Sequence, residues 1–272
     1  MATGMSHTAV IDAIANALRG EDCVRALFLS GSYATSLQDE HSDIDFVLVA
    51  SDGATDEVAA LWHEATRKTG EIVLWRDRQT SPILINAITE DWLRIDVIVL
   101  KSDQMSAQTR DRLRVLFDHD DIYEGLNEST KSQSPSPRRA KYQFEEFIRI
   151  LGLLSVVVGR EEYLNGVAGV FHLRNLLVDL IVEETSAPHR GGALHLNRLI
   201  TEEQKEALAS LPAPVPTRDA MIDVHLAYAR AYLPRARRLA KAWGVEWPER
   251  FEAATWKWLR ETLSIERPYA SD

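Results

Sequence analysis

Asp43 and Asp45 stand two residues apart at the mouth of an apolar run, Ile44 to Val49. In an extended strand, positions i and i+2 share one face, about 7 Å apart along the chain. The two carboxylates therefore point together, while Ile44 and Phe46 point the other way, into a core. Paired carboxylates are hard oxygen ligands of the kind Mg²⁺ takes. Two such ions, roughly 3.5–4 Å apart, can clamp a phosphate while it is attacked. A third carboxylate would complete that site, and Asp96 in WLRIDVIVL is the candidate. Leu93, Ile95, Val97 and Val99 make one face of this stretch; Arg94, Asp96 and Ile98 make the other. A lone Asp inside an apolar strand is costly to bury unless it is paired or holds a metal. The bland alternative is a pair with Arg94 on the same face.

Gly31-Ser32 ends an earlier apolar run, eleven residues before Asp43. Glycine lets a backbone approach a phosphate closely, and its N–H joins the serine hydroxyl as a donor. A short helix is expected from Ser32, so its N-terminus would also favour an anion. A Gly-Ser pair alone is common in turns. The pair, the Asp-x-Asp and the later lone Asp together form a much more specific set.

The elements that must position these residues follow from periodicity. Val10, Ile11, Ile14 and Leu18 recur at helical spacing, with Ser6 or Thr8 as cap and Gly20 as stop. Val24 to Leu29 reads as a buried strand feeding Gly31-Ser32, and Ile44 to Val49 as the strand bearing Asp45. Thr55 to Thr69 reads as a helix. Glu71 to Trp75, Ile83 to Thr89 and Trp92 to Leu100 read as strands, and another helix begins at Ser102. This order predicts a mixed sheet flanked by helices. Glu128 to Arg139, ESTKSQSPSPRR, has four serines and two prolines and reads as a linker. Beyond it the pattern is helical over Lys141–Val158, Glu161–Glu183, Glu202–Leu211, Arg218–Trp243 and Pro248–Leu263. The fold class is thus α+β, a mixed-sheet domain over 1–127 and an all-helical bundle over 140–272.

The charge is uneven. The chain carries 31 Lys and Arg against 41 Asp and Glu. Met1 to Asn127 alone holds eleven basic and twenty-two acidic residues, while the remainder is nearly balanced. An acidic first half repels nucleic-acid backbones and attracts cations, whether metal ions or amine-bearing small molecules. The single cysteine, Cys23, excludes an internal disulfide framework and reads as a small buried residue before a strand. The start lacks the pattern of a signal peptide, and the run Ile150 to Gly159 is too short to span a bilayer. The expectation is a cytoplasmic protein with no membrane or nucleic-acid partner.

Gly31-Ser32, Asp43-Ile44-Asp45 and Asp96 resemble the DNA polymerase β-type nucleotidyltransferase superfamily. The resemblance implies a nucleotidyltransferase fold in the first domain, Gly31 and Ser32 at a nucleoside triphosphate, and Asp43, Asp45 and Asp96 as catalytic Mg²⁺ ligands. The layout of a transferase domain followed by a helical domain of similar size is similar to lincosamide nucleotidyltransferases and aminoglycoside adenylyltransferases. VFHLRNLLVDLIVE and PHRGGALHLNRLI resemble their helical domain. That likeness implies transfer of a nucleoside monophosphate, AMP from ATP, to a hydroxyl of a small molecule bound between the two domains, with release of pyrophosphate. An acidic general base is implied as well. Asp96 is the choice, with Glu71, Glu145 and Glu146 open. The alternatives are a protein-adenylylating, antitoxin-like enzyme or a non-catalytic nucleotide-sensing module.

Several further residues carry a functional and a bland reading. Arg174, inside an apolar helix, reaches a nucleotide phosphate or pairs with Asp179 or Glu183. His189 to Gly192 reads as a basic surface loop. Asp118, Asp120 and Asp121 read as a solvated acidic run after a helix, and His41 as no metal ligand. Arg235, Arg237, Arg238 and Lys241 read as a solvated basic stripe. Trp243, Trp247, Trp256 and Trp258 read as helix-packing core.

Overall fold

The structure is a computed structural model that describes residues 4–78, 82–128, 136–185 and 195–270. The chain divides into two compact units, Met1–Lys131 and Ser132–Asp272.

The first unit is built on six strands: β1 (Val24–Leu29), β2 (Ile44–Ala50), β3 (Ile72–Arg78), β4 (Ile83–Thr89), β5 (Arg94–Lys101) and β6 (Arg114–Asp118). Their order in the sheet is β3-β4-β5-β2-β1-β6. β2 and β5 run parallel and the other neighbours antiparallel, so the sheet is mixed, as the element order predicts. Helices α1 (His7–Leu18) and α3 (Thr55–Arg67) join it, and the one-turn α2 (Gly31–Ala34) follows β1. Ser6 caps α1, its hydroxyl accepting from Ala9 N at 3.3 Å. α1 buries Val10, Ile11, Ile14 and Leu18, while α3 buries Val58 and Trp62. Trp62 meets Phe46 edge-on at 5.0 Å.

Side-chain alternation splits the strands between two cores. Leu27, Ile44, Phe46, Ile95 and Val97 belong to the core that includes α1 and α3. Ala26, Phe28, Val47 and Val49 belong to a smaller core with Met105, Leu113 and Leu126. This parity decides the site, because Asp45 shares its face with Val47 and Val49.

Two readings of the first unit are corrected. The helix expected from Ser102 is only a short 3₁₀ turn, Ser102–Ala107. The stretch before Asp118 is not helical but strand β6, paired with β1 at the sheet edge. Its sequence, RVLFD, is short and charged at both ends, and only the partner strand makes it extended.

Among the described residues the second unit has helices and no strand: α4 (Pro137–Gly152), α5 (Leu154–Gly159), α6 (Tyr163–Thr185), α7 (Leu196–Leu199), α8 (Glu202–Ala209), α9 (Arg218–Ala242) and α10 (Glu249–Leu263). α4 begins inside the segment read as linker, with Pro137 in its first turn, where a missing N–H costs nothing. The helix expected over 141–158 is broken at Leu153 into α4 and α5. Phe147 and Tyr232 stack at the centre, 3.8 Å between ring centroids. Trp243 and Trp247 pack on Phe144, and Trp256 on Tyr269, as expected of core aromatics, but Trp258, two residues beyond Trp256 on α10, falls on the helix's other face and is 51% exposed rather than core. The indole N–H groups of Trp247 and Trp258 donate to Glu252 and Ser155, each at 2.7 Å. One helix among the described residues, α6, is long and apolar enough to cross a membrane, yet eight of its residues are buried within the unit.

Candidate active site

Register brings the first two carboxylates together. β2 and β5 are parallel neighbours with Asp45 directly opposite Asp96. Asp43 lies two residues upstream, at the entry to β2. One oxygen from each of Asp43, Asp45 and Asp96 can be chosen so that all lie within 4.8 Å of one another. Charges this close repel strongly once water is partly removed. Burial, then the charges of Asp43 and Asp96, push the Asp45 carboxyl up to about 6. Burial also raises Asp96, opposed by a hydrogen bond from the side chain of Asn86. Asn86 sits opposite Asp96 on β4.

Arg94 makes its ion pair with Asp43, though its charge also lowers the Asp45 and Asp96 carboxyls. Its Nη1 lies 3.4 Å from Asp43 Oδ2, and its Nη2 donates to His41 O at 3.2 Å. The bland reading, in which an Arg94 pair explains Asp96, gives way to a shared carboxylate cluster with one guanidinium at its edge.

Gly31 and Ser32 lie beside this cluster. Ser30 N donates to Asp45 O at 2.9 Å, so the end of β1 is tied to β2 at the acidic residue. Gly31 adopts φ +57, and a Cβ there would stand 2.0 Å from Asp45 Oδ2. Only glycine fits, for backbone and contact reasons together. Ser32 Oγ is buried and has no hydrogen-bond partner among the described residues. An orphaned buried hydroxyl next to three hard oxygen donors fits a cation and the phosphate oxygens that accompany it.

The other residues singled out are placed as follows. Arg174 is half-buried on α6 in the second unit, and Glu183, one of its expected partners, has Arg139 Nη1 at 3.9 Å. Glu71 is exposed just before the edge strand β3, two strands from β5. Glu145 and Glu146 lie on α4 in the second unit. Glu146 accepts two bonds of 2.7 Å from Arg149, which holds its carboxyl below the usual range. Asp118 caps the turn after β6, accepting from Tyr123 N at 2.8 Å, and Asp120 pairs with Arg25. Asp118 and Asp120 are thus tied to the fold, and Asp121 is exposed, in line with a solvated, capping run. His41 is 85% exposed, with no second histidine among the ligand groups. Arg235 and Arg238 both pair with Glu184, and Arg237 with Glu249 and Glu252, so the basic stripe is largely neutralised within its own unit. His189 to Gly192 lie outside the described residues.

Sequence reading missed Asn86 and the Arg94–Asp43 pair. Asn86 had a signal, a lone amide in the apolar strand ILINAIT. The Arg94 pairing had none, since it depends on where the loop ahead of β2 lies.

The family model for streptomycin adenylyltransferase matches residues 5–261. No curated protein matches the sequence. Among solved structures, the chain is similar to an aminoglycoside 6-adenyltransferase from Bacillus subtilis at 14% identity. That match covers 93% of this chain and 97% of the other, with a TM-score of 0.41. It is also similar to a spectinomycin adenyltransferase from Enterococcus faecialis, determined with ATP and spectinomycin, at 13% identity. There the coverage is 84% and 100%, with a TM-score of 0.34. A nucleotidyltransferase-like protein from Exiguobacterium sibiricum is similar at 12% identity over 91% and 80%, with a TM-score of 0.37.

Proposed function

The chain belongs to the streptomycin adenylyltransferase family, and from that membership we propose that it transfers AMP from ATP to a hydroxyl of an aminoglycoside-type antibiotic. The observation that carries the reading within the chain is the convergence of Asp43, Asp45 and Asp96 beside Gly31 and Ser32. Asp43 and Asp45 would hold Mg²⁺, with Asp96 completing the ligand set, and the ion would supply charge neutralisation at the triphosphate. Ser32 Oγ, otherwise unpartnered, donates to a phosphate oxygen, and Gly31 lets the backbone approach. Arg174 is assigned a phosphate contact on the grounds of its type and place in an apolar helix.

The acceptor hydroxyl oxygen forms a bond to the α-phosphorus of ATP. The bond from that phosphorus to the bridging oxygen breaks, and pyrophosphate leaves. The hydroxyl proton passes to a carboxylate, for which Asp96 is the choice, since it is half-buried on β5 opposite Asp45. Glu146 is a poorer base because Arg149 holds its pKa down. Positioned general-base help contributes about 10² to 10⁴ in rate, and stabilisation of charge at the phosphate contributes much of the rest. ATP supply places the reaction in the cytoplasm.

The test is to incubate the protein with Mg²⁺, each of the four nucleoside triphosphates, and a panel of aminoglycosides and lincosamides. Pyrophosphate release and product mass are read together. The expected result is one adenylyl group added to an aminoglycoside, with ATP preferred, and loss of that product in Asp43→Ala. No mass gain on any drug with any nucleotide sinks the reading.

A further inference from the structure

The turn between β4 and β5 holds a residue that is expensive for the fold. Thr89 N donates to Leu93 O at 3.0 Å, Trp92 N to Thr89 O at 2.9 Å, and Leu93 N to Thr89 Oγ1 at 3.1 Å. Inside this tight hairpin Trp92 adopts φ +66. A bulky side chain rarely takes the left-handed region, and such strain costs of order 1–3 kcal/mol. The indole is also left 75% exposed. Strained backbone and an exposed large aromatic ring are two separate costs, and neither serves the core.

Trp92 lines a cavity of about 290 Å³ together with His7, Glu40, His41, Asp91 and Arg94. The cavity adjoins the carboxylate cluster. Arg94 reaches from its wall to Asp43 at 3.4 Å, and His41 and Ser42 lead directly into Asp43. On another side, His7 Nδ1 and Tyr33 OH are hydrogen-bonded at 2.6 Å, and Tyr33 follows Ser32. The guanidinium of Arg94 is engaged by Asp43 and His41 O. The carboxylate of Glu40 is 86% exposed at the rim.

An indole face binds the flat side of a saturated ring and attracts a nearby cation. Carboxylates beside it take ammonium or guanidinium groups through charge-assisted hydrogen bonds. The volume lies at the small end of ligand cavities, enough for one ring. We propose that this cavity is an acceptor subsite in which Trp92 stacks on one cationic, hydroxyl-bearing ring and Glu40 takes its charged substituent. The inference rests on the reading of the chain as a transferase acting on a cationic antibiotic, and it adds the residues that select that antibiotic.

The test measures equilibrium binding of streptomycin by calorimetry to the wild type, Trp92→Phe, Trp92→Ala and Glu40→Gln, with MgATP affinity and circular dichroism alongside. Trp92→Ala is expected to weaken streptomycin binding about tenfold, as loss of a cation–π contact implies. Trp92→Phe retains most of the affinity, Glu40→Gln loses about threefold, as loss of a charge-assisted contact at an exposed rim implies, and MgATP binds all four proteins alike. Trp92→Ala binding streptomycin as the wild type does overturns the subsite. So does an equal loss of MgATP affinity, which marks a structural role, or a wild type that binds no streptomycin at millimolar concentration. Binding that depends on Trp92 without any adenylyl transfer overturns the transfer reading and leaves the subsite standing. Transfer with an unchanged streptomycin KM in Trp92→Ala does the reverse.

Discussion

At the scale of residues, the cluster trades stability for charge. Asp45 is pushed up to about 6 because it is partly buried beside two like charges. Removing one charge relieves that cost. Asp45→Asn should raise the melting temperature of metal-free protein, by about 2–4 °C for each kcal/mol relieved, while cutting adenylyl transfer at least about 10³-fold. Differential scanning calorimetry in chelator and a pyrophosphate assay read the two effects; a lower melting temperature would contradict the electrostatic account. Gly31 makes the complementary case. Gly31→Ala forces a Cβ to within 2.0 Å of Asp45 Oδ2. The backbone strain alone costs about 1–2 kcal/mol, and the carboxylate must move. Activity is expected to fall about 10- to 100-fold, in line with the cost of a 1 Å misplacement. Unchanged kcat/KM in a folded Gly31→Ala protein would show that the close approach does not matter.

At the scale of elements, α9 carries a pH-sensitive group. His225 is buried, and its Nδ1 is 2.7 Å from Met221 O. Burial lowers its pKa below the ordinary 6.5. A histidine depressed in the folded state favours folding above the unfolded pKa, and that contribution is lost as pH falls. The second unit should therefore lose stability on acidification below about 6.5, and His225→Gln should flatten that loss. Urea midpoints of both proteins at pH 7.5 and 5.5 decide it; parallel declines would assign the acid sensitivity elsewhere. The element order was largely legible beforehand. β1 and β4 match their expected bounds because each is a largely apolar run closed by turn residues. β6 was not legible, because five residues with charged ends carry too little pattern without β1 beside them.

At the scale of the whole molecule, the acidity of the first 127 residues matters for a cationic acceptor. Eleven basic against twenty-two acidic residues there should steer a polycation toward the site. Salt screens such steering over about 10 Å at 0.1 M ionic strength. The streptomycin KM is expected to rise several-fold between about 50 and 300 mM salt, and the MgATP KM much less. Equal rises in both constants would mean that the acidic field plays no part in acceptor recruitment.

The sequence by itself determined the chemistry-bearing residue types, the α+β class and the face each strand residue takes, because these follow from side-chain identity and a period of two. Gly31, Ser32, Asp43, Asp45 and Asp96 were nameable from spacing and resemblance alone. Tertiary structure decided what spacing cannot carry. The pairing of β2 with β5 sets Asp45 opposite Asp96, and the course of the loop before β2 gives Arg94 to Asp43. The hairpin after β4 holds Trp92 out in water at a cavity wall, though nothing in TEDWL announces it. Each of these depends on segments distant in sequence or on a backbone angle, and neither is written in the local run of residue types.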